Sequence, residues 1–342
     1  MTGNAGLGSN LNLIIWTTAL LLQEQPNATI FLDERSTLAA CRDGLDELML
    51  PQQPKVLHVN RDKAPPGCVV WSTDAIEGFV RGYTGSHGHW AQYIGRTSRR
   101  WMFGGSSDVG FTHMVSLPGM PAASRQRHAQ IWHGMWHALC PVMQRFWQFA
   151  PQLQQRRKAL QQSLRGNSTA PIVAIHVRGG DKVAPGTREV PEEFDYSFHK
   201  GMELVAQQLA VRGIASVPQQ ATQQGSQQQQ QQKSETPICL LFGDDKQLMD
   251  DVGSQARRIL NCSRLQQAPA AGSFTPWGDD NVNCGMVQTM LADMDTLAWA
   301  DYSIGTMWSN FDSVAFYAAV CNYGRQQETY VDGSRNPFGP YL

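Results

Sequence analysis

The chain reads as an α/β protein of two lobes, the second a doubly wound parallel sheet. Three observations carry that reading. Residues Ile172–Val177 form an uninterrupted apolar run of the kind that parallel sheets bury on both faces. Short apolar runs alternate with helical periodicity through the second half of the chain. The length of 342 residues, at roughly 100–200 residues per domain, favours two units that each bury a core.

The first lobe, residues 1–168, opens on Gly3-Asn4-Ala5-Gly6-Leu7-Gly8-Ser9-Asn10, followed by an apolar helical pattern through about Leu22. Asn10 or Ser9 is the candidate N-cap. Ala28–Leu32 reads as a short buried strand ending in Asp33-Glu34. A Gly-rich turn that opens a helix, followed by a strand, is half of a βαβ unit. The strand that ought to precede the turn has no room before Gly3, so the chain is expected to be truncated at its start. Further strands fit Lys55–Val59 and Cys68–Trp71, and 78–119, rich in Gly, Ser and Trp, reads as loops. Arg125 to Leu164 is helical, with Ile131, Trp132, Met135, Trp136 and Leu139 at three-and-four spacing and a break at Pro141. Its polar second half ends at Gly166.

The second lobe, 169–342, starts with the Ile172–Val177 strand, which runs out into Arg178-Gly179-Gly180-Asp181-Lys182. A helix from about Phe194 to Val211 follows. Residues 219–232 hold ten Gln, and 218–235 is a Gln-rich insert expected to be a disordered loop. Pro237–Phe242 is the next strand, stopped by Gly243-Asp244-Asp245 ahead of Lys246 and a helix. Asn283–Ala298 is helical, Asp301–Gly305 a short strand and Ser309–Val320 a helix.

Composition removes several classes of function. With 28 basic and 29 acidic residues, a net charge of -1 lacks the basic footprint of a nucleic-acid binder. Ten Trp and thirteen Phe are too many for a disordered chain. The longest apolar stretch, Leu11 to Leu22, is broken by Asn12 and two Thr and falls short of the roughly 18 residues of a membrane span. Seven cysteines include no C-x-x-C pair, which removes zinc-ribbon and thioredoxin readings. Their odd number leaves at least one thiol free or paired between chains. Three sequons, Asn27-Ala28-Thr29, Asn167-Ser168-Thr169 and Asn261-Cys262-Ser263, point weakly to the secretory lumen.

In open parallel sheets ligands gather at the carboxyl ends of strands. Three such ends carry polar residues: 176–182, 243–245 and 305–310. Arg178 sits one residue beyond a buried strand on a turn kept slim by Gly179 and Gly180. An arginine there can fork onto phosphate oxygens while the glycines admit the ligand to the backbone. The alternative is a strand-end Arg paired with Asp181 or Asp244. His176, on the same strand, is equally readable as a satisfied core histidine. Thr306-Met307-Trp308-Ser309-Asn310 offers hydroxyls, an amide and free N–H groups at a helix N-terminus, an anion site that is compatible with a plain cap by Ser309. Asp245 is the expected cap of the helix that follows it. Asp293 and Asp295 form a D-x-D pair, but two residues apart on a helix they point about 200° from each other and cannot share an ion. No metal is expected. Glu189, Glu192, Glu193 and Asp195 are candidates for a general base, each also readable as a solvated or helix-start carboxylate. The Trp residues of 90–147 read as core rather than as sugar-stacking platforms.

Together these residues resemble the fucosyltransferases that use GDP-fucose, especially the α-1,6 (core) fucosyltransferases and their bacterial nodulation relatives. His176-Val177-Arg178-Gly179-Gly180-Asp181-Lys182 is similar to a family motif in which a strand ends in His-Val-Arg-Arg-Thr-Asp-Lys. Ala300-Asp301-Tyr302 through Thr306, Ser309, Asn310 and Ala315-Phe316-Tyr317 resembles the family's last motif. Gly6-Leu7-Gly8-Ser9-Asn10-Leu11 resembles the Gly-x-Gly-Cys-Gln-Leu turn that opens its catalytic region.

The resemblance implies two Rossmann-like lobes of GT-B type and inverting transfer without a metal or other cofactor. The donor would be GDP-fucose and the acceptor a glycan or glycoprotein, with core GlcNAc of an N-glycan foremost. It further implies that Arg178 neutralises the diphosphate, while His176, Asp181, Asp244, Ser309 and Asn310 contact the nucleotide. Asp293 falls where the family has an acidic residue near the guanosine, Gly6, Gly8, Ser9 and Asn10 reach across from the first lobe, and Thr306 belongs to the same donor site. Glu189 would be the base, with Lys182 as relay or phosphate partner. A Golgi lumenal home would follow, with any membrane anchor absent from this chain. The departures are Gly179 for the family's second Arg, a longer spacing from Lys182 to Glu189, and no counterpart to the aromatic residue after Leu32-Asp33. Too little chain follows Cys321 for the SH3-like domain of the animal enzymes. Transfer to another glycan or to protein Ser/Thr, and an inactive GDP- or glycan-binding module, are the competing readings.

Overall fold

Ile172–Val177 (β3) is buried at every position, as a strand flanked on both sides and covered on both faces must be. In the computed structural model it pairs in parallel with Ile238–Gly243 (β4) on one side and Tyr302–Gly305 (β6) on the other. Arg264–Gln267 (β5) and Tyr330–Asp332 (β7) close the edges, giving the order β5-β4-β3-β6-β7, parallel throughout. In a separate pair, Ile30–Asp33 (β1) lies parallel to Val56–Val59 (β2). The structure describes Gly8, Leu11, Asn12, Ile15, Thr18, Ala19 and Leu22, and then 30–33, 56–59, 136–137, 139–178, 198–212, 236–267, 284–305, 309–326 and 329–332. The expected strand at Cys68–Trp71, the loops of 78–119, the Gln-rich insert and 194–197 lie outside those residues.

Five helices have full bounds: Pro151–Arg165 (α1), Phe198–Val211 (α2), Lys246–Ile259 (α3), Cys284–Trp299 (α4) and Asn310–Cys321 (α5). They divide between the two faces as the strand periodicity requires. Val173, Ile175 and Val177 meet Phe198, Met202, Val205 and Leu209 of α2 and Met249, Val252 and Ala256 of α3. Ile172 and Ala174 face the opposite core, with Leu291 and Leu297 of α4 and Val314 and Phe316 of α5. Leu11, Ile15 and Ala19 of the N-terminal helix join this second core. Successive connections run one way from β3 to β5 and the other way from β6 to β7, so the strand order reverses between β3 and β6. That reversal is where a doubly wound sheet opens a crevice at its carboxyl edge.

Several sequence expectations shift. The helix before α1 continues through Pro141 to Phe146, and the break falls at 147–150. Ala150 is extended (φ -55°, ψ 152°) ahead of Pro151 at the start of α1, because a proline disfavours helical geometry in the residue before it. Gly8 is helical, and the candidate N-caps Ser9 and Asn10 lie outside the described residues. β5 and β7 carry no signal in the sequence: β5 is exposed to half-buried along its length, and an edge strand of that kind shows no apolar run.

Asp295 and Asp301 anchor the frame. Asp295 is 1% exposed and accepts from Trp147 Nε1 and Tyr323 Oη, each at 2.7 Å, with Arg157 Nη1 at 3.4 Å. Burial pushes its pKa up, and those donors pull against it. Asp301 accepts from the Ile172 N–H at 2.9 Å and from Arg165 at 2.6 Å, and pairs with Arg325 at 3.1 Å. It therefore ties the amino ends of β3 and β6 to α1.

Candidate functional site

At the carboxyl end of β3, alternation turns His176 towards α5 and Val177 towards α2. Asp312, in the first turn of α5, is fully buried. A buried carboxylate has to be matched where it stands. His176 Nδ1 lies 2.9 Å from Asp312 Oδ2, the Tyr330 hydroxyl lies 3.1 Å from Oδ1, and the helix dipole favours negative charge at that turn. In the tautomer in which Nδ1 donates to this carboxylate, Nε2 of the imidazole is left as an acceptor. The imidazole is stacked on Phe311 (4.3 Å between centroids, 24°) and tilted against Phe242 (5.5 Å). Bonds on one edge and rings on its face fix its orientation.

Glycine makes this packing possible. A Cβ on Gly305, the last residue of β6, would run into the Asp312 carboxylate. A Cβ on Gly243, the last residue of β4, would run into the Val177 carbonyl. The ends of three neighbouring strands are thereby held close around the crevice.

Arg178, next along β3, is ion-paired with Asp244, at the end of β4. This pairing is one of the two alternatives that the sequence offers for Arg178. A guanidinium's five donors can serve a carboxylate and a phosphate together. Asp245 caps α3 as expected, accepting from the Leu248 N–H at 2.9 Å. Ser309 stands at the N-cap position of α5, but its side chain makes no capping bond; its carbonyl accepts from the Ser313 N–H at 3.1 Å. The first amides of α5 are therefore not capped by the Ser309 hydroxyl.

Asp293 and Asp295 diverge on α4 as helical spacing requires. Asp295 enters the Trp147–Tyr323–Arg157 network, while Asp293 lies in the field of His176 and Arg156. Burial pushes the Asp293 carboxyl up to about 7, against the opposing pull of those two groups.

Of the residues expected at the site, His176, Arg178, Asp244, Ser309 and the backbone of Asn310 come together at the carboxyl ends of β3, β4 and β6, with Asp293 electrostatically coupled to His176. Gly8 is buried in the N-terminal helix. Gly6, Ser9, Asn10, Gly179, Gly180, Asp181, Lys182, Glu189, Glu192, Glu193, Asp195 and Thr306 lie outside the described residues. Sequence reasoning passes over Asp312. An acidic residue in the first turn of a helix reads as a dipole partner, and the histidine it holds is 136 residues away. The described residues include no cluster of three metal-ligating side chains and no helix long and apolar enough to cross a membrane.

No protein-family model and no curated protein matches this chain. Among solved structures it is similar to NodZ alpha-1,6-fucosyltransferase soaked with GDP-fucose, at 14% identity, covering 90% of this chain and 88% of that one with a TM-score of 0.45. Fucosyltransferase NodZ from Bradyrhizobium matches at 13% identity over 90% and 88% of the two chains, with a TM-score of 0.41. A FUT1 variant from Arabidopsis thaliana in complex with GDP matches at 12% identity over 92% and 66%, with a TM-score of 0.44.

Proposed function

We propose that the chain is a glycosyltransferase that moves L-fucose from GDP-fucose to a glycan, foremost α-1,6 to the core GlcNAc of an N-glycan. The observation that carries this reading is the strand-order reversal between β3 and β6, which brings Arg178, at the end of β3, and the start of α5, after β6, to one carboxyl edge of the sheet. As the bond from fucose C1 to the diphosphate breaks, charge grows on the departing oxygen. A fixed guanidinium and aligned helix amides stabilise that charge at no reorganisation cost. They supply positive field where other transferases rely on a divalent cation, so the reaction proceeds without one. His176, held by Asp312, offers Nε2 to a donor group of the nucleotide, and Asp293 lies within the same field. Glu189 removes the proton from the acceptor hydroxyl as it attacks the face of C1 opposite the diphosphate, inverting that centre. Asp181 and Lys182 complete the phosphate side, and Gly6, Ser9, Asn10 and Thr306 complete the donor cradle. A Golgi lumenal home fits the disulfides Cys140–Cys321 and Cys239–Cys262, since such bonds persist in oxidising compartments.

The test is turnover. Purified chain, GDP-fucose and a panel of N-glycans in the presence of a chelator should release GDP and yield a fucosylated product. Glu189→Gln should lower that rate by about 100-fold or more while GDP still binds, the size expected for loss of a general base. Absence of GDP release above background from folded protein that binds GDP would replace this reading with a nucleotide-binding module lacking catalysis.

A further inference from the structure

We propose that Asn167 and Asn261 are acceptor sites for N-linked oligosaccharides, independently of what the crevice binds. Both head sequons, Asn167-Ser168-Thr169 and Asn261-Cys262-Ser263, and both are exposed. Asn167 lies in the turn between α1 and β3. Asn261 lies between α3 and β5, in the left-handed conformation at φ 51°, which asparagine tolerates better than other side chains with a Cβ. Each closely precedes a strand of a wholly parallel sheet, so both sit at its amino edge. The crevice is at the carboxyl edge, a six-residue strand away, or about 20 Å. A bulky glycan at either position leaves the crevice open. The disulfides supply the second, independent observation. Cys140–Cys321, Cys239–Cys262 and a bonded Cys284 are the chemistry of an oxidising secretory route, which is where sequons meet their transferase.

In the transfer, the Asn side-chain nitrogen attacks the anomeric carbon of a lipid-diphosphate-linked oligosaccharide. The C1–N bond forms, the C1–O bond to the diphosphate breaks, the lipid diphosphate leaves, and the amide proton passes to base. The two sites differ in when this can happen. At the second sequon, folding engages the hydroxyl: Ser263 Oγ donates to the Pro237 and Thr236 carbonyls at 3.1 and 3.2 Å. The middle residue, Cys262, is bonded to Cys239. Asn261 is therefore modified before the Cys239–Cys262 bond forms, whereas the first sequon, Asn167-Ser168-Thr169, holds no cysteine.

The full chain, carried behind a cleavable secretory leader in eukaryotic cells, provides the test. Secreted protein is treated with peptide:N-glycosidase in heavy-oxygen water and its peptides are read by mass spectrometry. Labelled aspartate is expected at both 167 and 261. Asn167→Gln and Asn261→Asp should each remove one glycan's worth of gel retardation, the second keeping a residue that tolerates the left-handed backbone. A mild reductant during synthesis should raise occupancy at Asn261 and leave Asn167 unchanged. Secreted, folded protein with unmodified asparagine at either position overturns the assignment of that position, and equal response of both sites to reductant overturns the proposed order of events.

Discussion

At the scale of single residues, the site turns on a carboxylate that sequence periodicity does not reveal. Asp312 holds the Nδ1 edge of His176, so Asp312→Asn should release the ring from its Nδ1–H tautomer. Nitrogen NMR of the imidazole reads that change directly. GDP affinity should fall about tenfold, the worth of one well-made hydrogen bond, with the helical signal in circular dichroism retained. Unchanged ring shifts and affinity would make Asp312 a packing residue only. Asp293 carries a pH signature with a definite sign. Its carboxyl titrates at about 7 in the folded protein against an ordinary value of 3.8, so folding favours the protonated form. That contribution is complete below about pH 4 and is lost as pH rises to about 7. The stability of the wild-type chain relative to Asp293→Asn should therefore decline across that window, measured by denaturant unfolding at a series of pH values. A rise over the same window would contradict the burial that sets the shift.

Among the elements, β3 is legible in the sequence because a strand covered on both faces must be apolar at every position, and Ile172–Val177 is written that way up to His176. β6, α4 and α5 are legible from periodicity and from the polar turn between strand and helix. β5 and β7 are not: Arg264-Leu265-Gln266-Gln267 and Tyr330-Val331-Asp332 are short edges whose pairing, not their composition, makes them strands. Pattern alone puts the break between the first helices at Pro141, whereas the chain breaks at Ala150. A proline's own ring is a visible signal, and its effect on the preceding residue is less so. The Asp244 partner of Arg178 is legible as an alternative, because both lie at adjacent strand ends. The close approach of β6 to α5 sets a prediction at this scale. Gly305→Ala drives a methyl group into the Asp312 carboxylate and should destabilise the fold by about 1–3 kcal/mol, seen as a lower urea midpoint with weakened GDP binding. An unchanged midpoint would show that α5 can move aside freely.

Across the whole molecule, the two cores and the strand reversal put the described polar strand ends of the site on one edge of the sheet, and put two exposed sequons on the other. The Cys140–Cys321 bridge ties the helix before α1 to the end of α5 across 181 residues, so these distant segments share one covalent frame. Near-neutral net charge means that affinity for a diphosphate has to come from local field, which on the proposed reading is that of Arg178 and the start of α5. The central claim is therefore that this edge binds a guanosine diphosphate without metal. Calorimetric titration with GDP, with ADP and UDP as controls and a chelator present, tests it most directly. Binding of GDP in preference to both controls is expected, weakened at least tenfold by Arg178→Ala, about the loss that follows from removing one charge-assisted contact. Folded protein that takes up no GDP, or an Arg178→Ala variant that binds it as well as the parent chain, would contradict it.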